Sequence, residues 1–220
     1  MKRAAGFTLI ELLVAMSLAT LVSLLAYGGL QVAMGAWKVV DERQREMEGN
    51  YLAQALLRRL LEGAEAVTVR DEEDVQQSAF RGDEEGVLFV TRLPALDDSD
   101  QLYWVQLLQD KTFSTEGQRW QLLMRYMPML EMSAMDWKLL VDSLEHDGEQ
   151  KLLLDDQPRA LRFAYLEQMT EGGSEWQPEW QQQQGLPALI RITPARRKQG
   201  ALAELVVAPR NMAYVVLSGK

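Results

Sequence analysis

The N-terminal part of the chain begins with a long hydrophobic run. Residues 12–37 are predominantly apolar, and none of them carries a formal charge. A helix over this run, at about 1.5 Å per residue, would be about 39 Å long, whereas the hydrocarbon core of a bilayer is about 30 Å thick. The run therefore predicts a helix that spans a membrane.

Beyond residue 37, apolar residues recur at a spacing near 3.6, the period of an amphipathic helix. The apolar side carries Val40, Met47, Tyr51 and Ala55, with Leu52, Leu56 and Leu60 beside them. Charged residues between positions 41 and 48 take the other side. We therefore expect one helix over residues 7–61, with a membrane-embedded first half and an amphipathic second half that packs on a globular domain.

After Gly63 the pattern changes to short runs rich in β-forming residues, bounded by Gly, Pro, Asp or Asn. The predicted strands cover residues 65–69, 87–93, 102–108, 120–127, 137–141, 152–154, 161–166, 188–193, 204–207 and 212–217. The predicted fold class is α+β, in which the long helix precedes an antiparallel β domain with two sheets or an incomplete barrel. The predicted segments are a membrane and assembly helix at 7–37, an amphipathic continuation at 38–63 and a β-rich domain at 64–220.

Composition restricts the partners and the chemistry of the chain. A formal net charge of −9 argues against nucleic acid as a partner. The chain has no cysteine, which excludes disulfides, cysteine metal sites and cysteine nucleophiles. Lys2 and Arg3 precede the apolar run, so the positive-inside tendency places the N-terminus in the cytoplasm. The β-rich domain is then exported, and in a Gram-negative cell it is periplasmic.

A single acid, Glu11, stands at the edge of the apolar run. An ionised carboxylate that enters hydrocarbon costs several kcal/mol or more unless it finds a partner. Because the nearby chain offers only Lys2 and Arg3, a cation on another molecule is the natural partner. The alternative is a plain signal-anchor in which Glu11 is a passenger. An ordinary secretory signal fits poorly, since its apolar region is only about 7–15 residues long.

The N-terminal residues resemble the class III signal of type IV pilins and type II secretion pseudopilins. The resemblance rests on a short basic leader, on Gly6 followed by Phe7, and on Glu11 as the fifth residue after Gly6. It implies that residues 1–6 are a leader that prepilin peptidase removes, and that the new amine of Phe7 is methylated. It also implies that Glu11 acts in assembly with other subunits.

The β-rich domain resembles the J class of minor pseudopilins (GspJ). The resemblance rests on Arg81-Gly82 before residues 87–91, on residues 152–154 and 161–165, and on Trp176 and Trp180 before residues 186–192. It implies a structural subunit of the inner membrane without a cofactor. Its implied partners are minor pseudopilins of the I and K classes and the inner-membrane assembly platform. A type IV minor pilin of the PilW kind shares the leader and the helix, although many type IV pilins carry a disulfide that this chain lacks.

The remaining clusters favour structural interpretations. Asp97, Asp98 and Asp100, like residues 71–74, fit solvated acidic turns better than a calcium loop. His146 precedes Asp147-Gly148, which predicts a hairpin turn with an exposed histidine. The methionines between positions 124 and 135 fit either a core or a partner surface. No catalytic motif is present in the sequence, so we expect no enzyme activity. The rival is a membrane-anchored periplasmic enzyme or binding module.

Overall fold

The computed structural model describes residues 9–70, 74–93, 101–114, 117–130, 135–168, 173–194 and 202–216. The chain divides into two compact units, residues 1–47 and residues 48–220. Each unit is described by itself below.

A helix, α1, covers Leu9–Glu62 and confirms the long helix that the two hydrophobic patterns predict. Its segment Leu9–Gly35 is long and apolar enough to cross a membrane, and none of that segment is buried. The C-terminal part of α1 belongs to the second unit, where Ala53, Leu57 and Leu61 are buried. These three residues recur on one side of the helix, as the amphipathic pattern requires.

Twelve strands and a second helix follow within the described residues. The strands are β1 (Glu65–Arg70), β2 (Gln76–Ser78), β3 (Phe80–Gly82), β4 (Val87–Arg92), β5 (Leu102–Ser114), β6 (Gly117–Pro128), β7 (Glu149–Gln157), β8 (Leu161–Gln168), β9 (Ser174–Gln177), β10 (Leu189–Pro194), β11 (Leu205–Val207) and β12 (Asn211–Val216), and helix α2 (Trp137–His146) lies between β6 and β7. They form a five-stranded antiparallel sheet, β3-β4-β5-β6-β7, and a four-stranded antiparallel sheet, β11-β10-β8-β9. The third sheet has the order β12-β1-β2.

The predicted α+β class is confirmed, and no barrel closes in the described part of the chain. The described strands form three sheets rather than two. The third sheet contains a parallel pair, β1 with β12, although β1 is antiparallel to β2. The short strands β2, β3 and β9 were not predicted because they contain few β-branched residues.

The five-stranded sheet is buried on both faces at its strand β4. Val87 and Phe89 belong to a core cluster that includes Leu57 of α1 and residues of the four-stranded sheet. Leu88 and Val90 belong to a second cluster, which includes α2 and β1. The continuous apolar run of β4 follows from this double burial, because both sides of the strand face protein.

The prediction of a strand over residues 137–141 is wrong, because this segment begins helix α2. Asp136 caps the helix, and its side chain accepts hydrogen bonds from the backbone N–H groups of Lys138 and Leu139 at 2.8 and 3.0 Å. Leu140 and Leu144, four residues apart, are the buried positions of the helix. The cap and this spacing outweigh the β propensity of the tryptophan and valine in the segment.

The predicted hairpin turn at Asp147-Gly148 is also wrong, because Asp147 is the C-cap of α2. The backbone N–H of Asp147 donates to the Ser143 carbonyl at 2.8 Å. A Cβ at Gly148 would collide with the Leu144 carbonyl oxygen, so the glycine permits this close approach. The two residues therefore join a helix to strand β7.

Candidate functional site

Glu11 lies in the first turn of α1 as described, and its side chain is exposed. An acid at this end of a helix is favoured by the partial positive charge of the helix N-terminus. Gly6 and Phe7, the predicted processing residues, lie outside the described residues, as do Lys2 and Arg3. The structure therefore places Glu11 at the start of the exposed apolar segment and gives no geometry for the cleavage site.

Three hydroxyl residues in the apolar segment bond within the helix itself. Ser17, Thr20 and Ser23 each donate to the carbonyl oxygen four residues earlier, at 2.8 Å. These bonds satisfy the hydroxyl donors where no water would be present, which lowers the cost of placing the residues in hydrocarbon. Sequence reasoning missed this feature, although serine and threonine within a predicted helix were its signal.

The other end of α1 is held by side chains and backbone from distant strands. The Thr91 hydroxyl donates to the Gly63 carbonyl at 2.8 Å, and the Arg210 backbone N–H donates to the Glu62 carbonyl at 2.9 Å. The Arg210 and Glu62 side chains form an ion pair. These contacts satisfy carbonyl groups that the end of a helix leaves without intrahelical partners. They fix the position at which α1 ends and the first strand begins.

A partly buried ion pair lies directly beyond this point. Glu65 is buried, and its carboxylate accepts a hydrogen bond from the guanidinium of the half-exposed Arg92. Because a buried carboxylate is costly without a cation, the pair ties the first residue of β1 to the last residue of β4. The start of the β domain is thus joined to β4, the second strand of the five-stranded sheet.

Segments that carry the J-class resemblance meet around Tyr165. The Tyr165 hydroxyl donates to the backbone carbonyls of Asp83 and Gly86, at 3.0 and 2.8 Å. A Cβ at Gly82 would collide with this hydroxyl, and Gly82 exchanges backbone hydrogen bonds with Trp180 at 2.9 and 2.8 Å. Burial, and secondarily the negative charge of Asp83, raises the pKa of Tyr165 well above its usual value.

A second tyrosine joins the last two strands of the five-stranded sheet. Tyr126 of β6 donates its hydroxyl to the carboxylate of Glu149 on β7. This hydrogen bond, followed by burial and the charge of Glu149, raises the pKa of Tyr126 to about 12. The neutral phenol is the form that the site requires, since only the phenol can donate to the carboxylate.

The remaining candidates have structural roles where they are described. Met124 and Met135 are buried, and the partly buried Met127 and Met129 pack against the second core cluster, which favours a core role for these residues. Met132 lies outside the described residues. His146 is exposed at the end of α2, with Nδ1 2.8 Å from the Asp142 carbonyl oxygen.

The predicted acidic turns lie only partly within the described residues. Asp74 pairs with Arg70 at 2.9 Å, whereas residues 71–73 and the turn with Asp97, Asp98 and Asp100 lie outside the described residues. Within the described ranges, no group of three or more His, Asp or Glu residues could hold a metal ion.

Residues 1–27 match the family model described as the prokaryotic N-terminal methylation motif. The match contains the proposed cleavage site at Gly6-Phe7 as well as Glu11 and the hydroxyl residues of the apolar segment. No curated protein matches the chain. The motif indicates a type IV pilin-like protein, either a pilin or a pseudopilin. The exposed apolar helix is consistent with a single-pass membrane anchor.

Proposed function

We propose that the chain is a minor pseudopilin of the type II secretion system, of the J class. In this role it is a structural subunit at the tip of a short periplasmic pseudopilus that supports export of folded proteins across the outer membrane. The observation that carries the proposal is the methylation motif, whose match extends into an exposed apolar helix with Glu11 in its first turn. We propose no catalytic activity and no cofactor.

The mechanism begins with processing and insertion. The N-terminus lies in the cytoplasm, α1 crosses the inner membrane once, and the globular unit is periplasmic. Prepilin peptidase cuts between Gly6 and Phe7, and the new amine of Phe7 is methylated. Cleavage removes Lys2 and Arg3, the only basic side chains that precede Glu11, so the carboxylate has to pair with an N-terminal amine or with a cation of a neighbouring subunit.

Assembly then follows from two physical requirements of α1. The apolar segment has no protein partner in the described unit, and helices that lie side by side in a membrane gain packing contacts. Glu11 gains a charged partner if it meets the processed N-terminal amine of a neighbouring helix. The proposed neighbours are pseudopilins of the I and K classes, and the inner-membrane assembly platform receives the growing structure.

Two observations support the J class over other pilin-like subunits. Segments of the β-domain resemblance converge on Tyr165, Gly82 and Trp180, so they form one packed cluster rather than scattered matches. The absence of cysteine fits a subunit without the C-terminal disulfide loop of many type IV pilins. The second candidate is a type IV minor pilin of the PilW kind, because the methylation motif occurs in both type IV pilins and pseudopilins.

Deletion of the gene followed by complementation tests the proposal. Loss of type II secretion with normal pilus formation, and rescue by the wild-type chain, is the expected result. Loss of pili with normal secretion would instead establish the minor pilin. If neither process changes, a membrane-anchored enzyme or binding module becomes the better interpretation.

Processing is tested separately with the Gly6→Val variant. A narrow peptidase subsite that accepts glycine excludes the larger side chain, so the precursor is expected to stay uncut. Mass spectrometry of the wild-type protein should find an N-methylated Phe7 terminus. An intact Met1 terminus in cells with active prepilin peptidase would contradict the pilin-like mechanism.

A further inference from the structure

The four-stranded sheet β11-β10-β8-β9 has one face in the core and one face outside it. Phe163, Tyr165 and Ile190 project from the inner face into the core cluster that contains Leu57. Because successive side chains point to opposite faces of a sheet, the residues between them project outwards, and these belong to neither core cluster. The outer face therefore lies on the surface of the globular unit, in strands that the structure describes completely.

One row of side chains across this face is apolar. Leu189 of β10 lies opposite Leu166 of β8, and Leu166 lies opposite Trp176 of β9. All three residues are partly exposed. An apolar row of this kind offers a partner contact with the hydrophobic groups that form the centre of a protein interface.

The next two rows carry arginines. Arg191 lies opposite Val206 on one side and Ala164 on the other, and Arg162 lies opposite Thr193. Neither arginine forms an ion pair within the described residues. The outward-facing residues of these four strands include no acid, although the whole chain has a net charge of −9. The face is thus cationic on an acidic molecule.

An arginine and a tryptophan are stacked on this face. The Arg191 Cζ lies 4.1 Å from the centroid of the Trp176 ring. Strand β8 lies between their two strands, and the small side chain of Ala164 leaves room for the contact. Stacking holds the plane of the guanidinium and keeps its N–H donors at the edge, where a carboxylate can accept two of them. Tryptophan and arginine are also enriched among the residues that contribute most to binding energy in protein interfaces.

We infer that the outer face of the four-stranded sheet binds an extended acidic segment of a partner protein. The three rows are two residues apart, or about 6.6 Å, which is also the distance between side chains i and i+2 of an extended chain. A segment with an apolar residue and acids two and four positions later therefore matches the apolar row, Arg191 and Arg162 in turn. The inference rests on the packing of the globular unit and not on the proposed role in secretion.

The size and chemistry of the face favour this occupant over others. The three rows on four strands measure roughly 15 Å by 15 Å, whereas a stable protein interface needs about 800 Å² from each partner. One extended segment covers such an area, but a second copy would gain too little from it alone. A second copy also carries the same net charge of −9, so the two chains repel each other. A free anion such as phosphate has no group to contact the apolar row.

A short peptide of defined composition tests the inference. The probe is a fluorescein-labelled peptide of seven residues, with leucine second, aspartate fourth and sixth, and serine elsewhere. Its matched control has asparagine in place of both aspartates, which keeps the shape and removes the charge. Fluorescence anisotropy measures the binding of each peptide to the full chain in a non-ionic detergent.

Substitutions at Val206 change the charge of the site at one position. Val206 is 39% exposed and lies opposite Arg191, so Val206→Glu supplies a carboxylate that occupies the guanidinium. We expect Val206→Glu and Arg191→Gln each to weaken binding of the aspartate peptide about tenfold or more. Val206→Gln should bind as the wild type does. Arg70→Gln should also have no effect, because Arg70 lies on the third sheet and pairs with Asp74.

Four outcomes would overturn the inference. They are no detectable binding of the aspartate peptide, equal binding of the asparagine peptide, equal binding by the Val206→Glu and Val206→Gln variants, and displacement of the peptide by equimolar inorganic phosphate. Thermal unfolding of each variant checks that the fold is intact. If Val206→Glu lowers the melting temperature, the comparison of Arg191→Gln with Arg70→Gln decides.

Discussion

Glu11 is the only residue between Leu9 and Gly35 that carries a formal charge. The other polar groups described in this segment include the three hydroxyls that bond to carbonyls of their own helix. A carboxylate cannot be satisfied in that way, because an ionised acid has no proton to donate to a carbonyl. The residue that most needs an external partner is thus the acid, not the hydroxyls.

Substitution of Glu11 should separate membrane insertion from assembly. Glu11→Leu is expected to insert at least as well as the wild type, because a costly charge has left the segment, but to assemble poorly. Glu11→Gln keeps the shape and polarity of the side chain and should also assemble poorly. Ser17→Ala is the control, since its hydroxyl is satisfied within the helix. The measurements are membrane fraction and crosslinking to partner subunits, and normal crosslinking by both Glu11 variants would show that the acid has no assembly role.

Gly82 is a residue whose absent side chain determines the packing around it. We expect Gly82→Ala to destabilise the globular unit by about 1–3 kcal/mol, because the new methyl group displaces the Tyr165 hydroxyl from its two carbonyl partners. Gly49→Ala is the control, since a Cβ there meets nothing within 4 Å. Alanine in a helix should stabilise by about 0.5–1 kcal/mol. Urea unfolding of the full chain in detergent measures both changes, and equal stability of the two variants would contradict the packing argument.

Secondary-structure elements differ in how far the sequence predicts them. The long helix is predicted because its two hydrophobic patterns continue over many turns. The strand predicted for residues 137–141 is wrong, because a local cap at Asp136 outweighs the β propensities of the residues that follow it. The contact between Gly82 and Tyr165 joins distant strands, and periodicity carries no information about such a pairing. For the candidate site, the sequence predicts the acid and its helix but not the contacts that hold the far end of α1.

Loss of the hydrogen bond between Thr91 and the end of α1 should lower the free energy of unfolding. Thr91→Val removes the hydroxyl that donates to the Gly63 carbonyl, and the Thr91 side chain is buried. Because the Gly63 carbonyl is only partly buried, we expect a loss of about 1 kcal/mol in urea unfolding, at the lower end of the cost of an unsatisfied carbonyl. Thr193→Val in β10 is the matched control and should change stability little. A neutral effect of Thr91→Val would show that the carbonyl finds another donor.

The pairing of β6 with β7 should weaken at high pH. The pKa of Tyr126 is raised to about 12 in the folded protein, from 10.0, chiefly by its hydrogen bond to Glu149. Because the folded state favours the neutral phenol, the contribution of this group to stability is full below pH 10.0 and is lost as pH rises through about 12. Glu149→Gln should lower the pKa of Tyr126 in a spectrophotometric titration referenced to Tyr126→Phe. An unchanged pKa would contradict the assigned cause.

At the scale of the whole molecule, the division at Glu48 separates the apolar segment from the packed core. Every buried residue described in α1 lies on the C-terminal side of this division, from Ala53 to Leu61. The globular unit therefore contains the whole described core, including the helix residues that cover one face of its largest sheet.

A fragment of residues 48–220 is accordingly expected to be soluble and to fold. A fragment of residues 63–220 lacks Leu57 and Leu61, both fully buried, and should not unfold cooperatively because it exposes the sheet face that α1 covers. Circular dichroism melts of the two fragments make the comparison. A cooperative melt of the shorter fragment would show that α1 is dispensable for the core.

The parallel pairing of β1 with β12 sets the order in which the globular unit can complete its fold. β1 follows α1 directly, whereas β12 contains the last residues described, so the third sheet joins the two ends of the globular unit. Contacts between segments so far apart in sequence form slowly, because a long loop must close first. One edge of β1 therefore stays unpaired until β12 has formed, and in that interval it is an exposed strand edge with which another chain can pair.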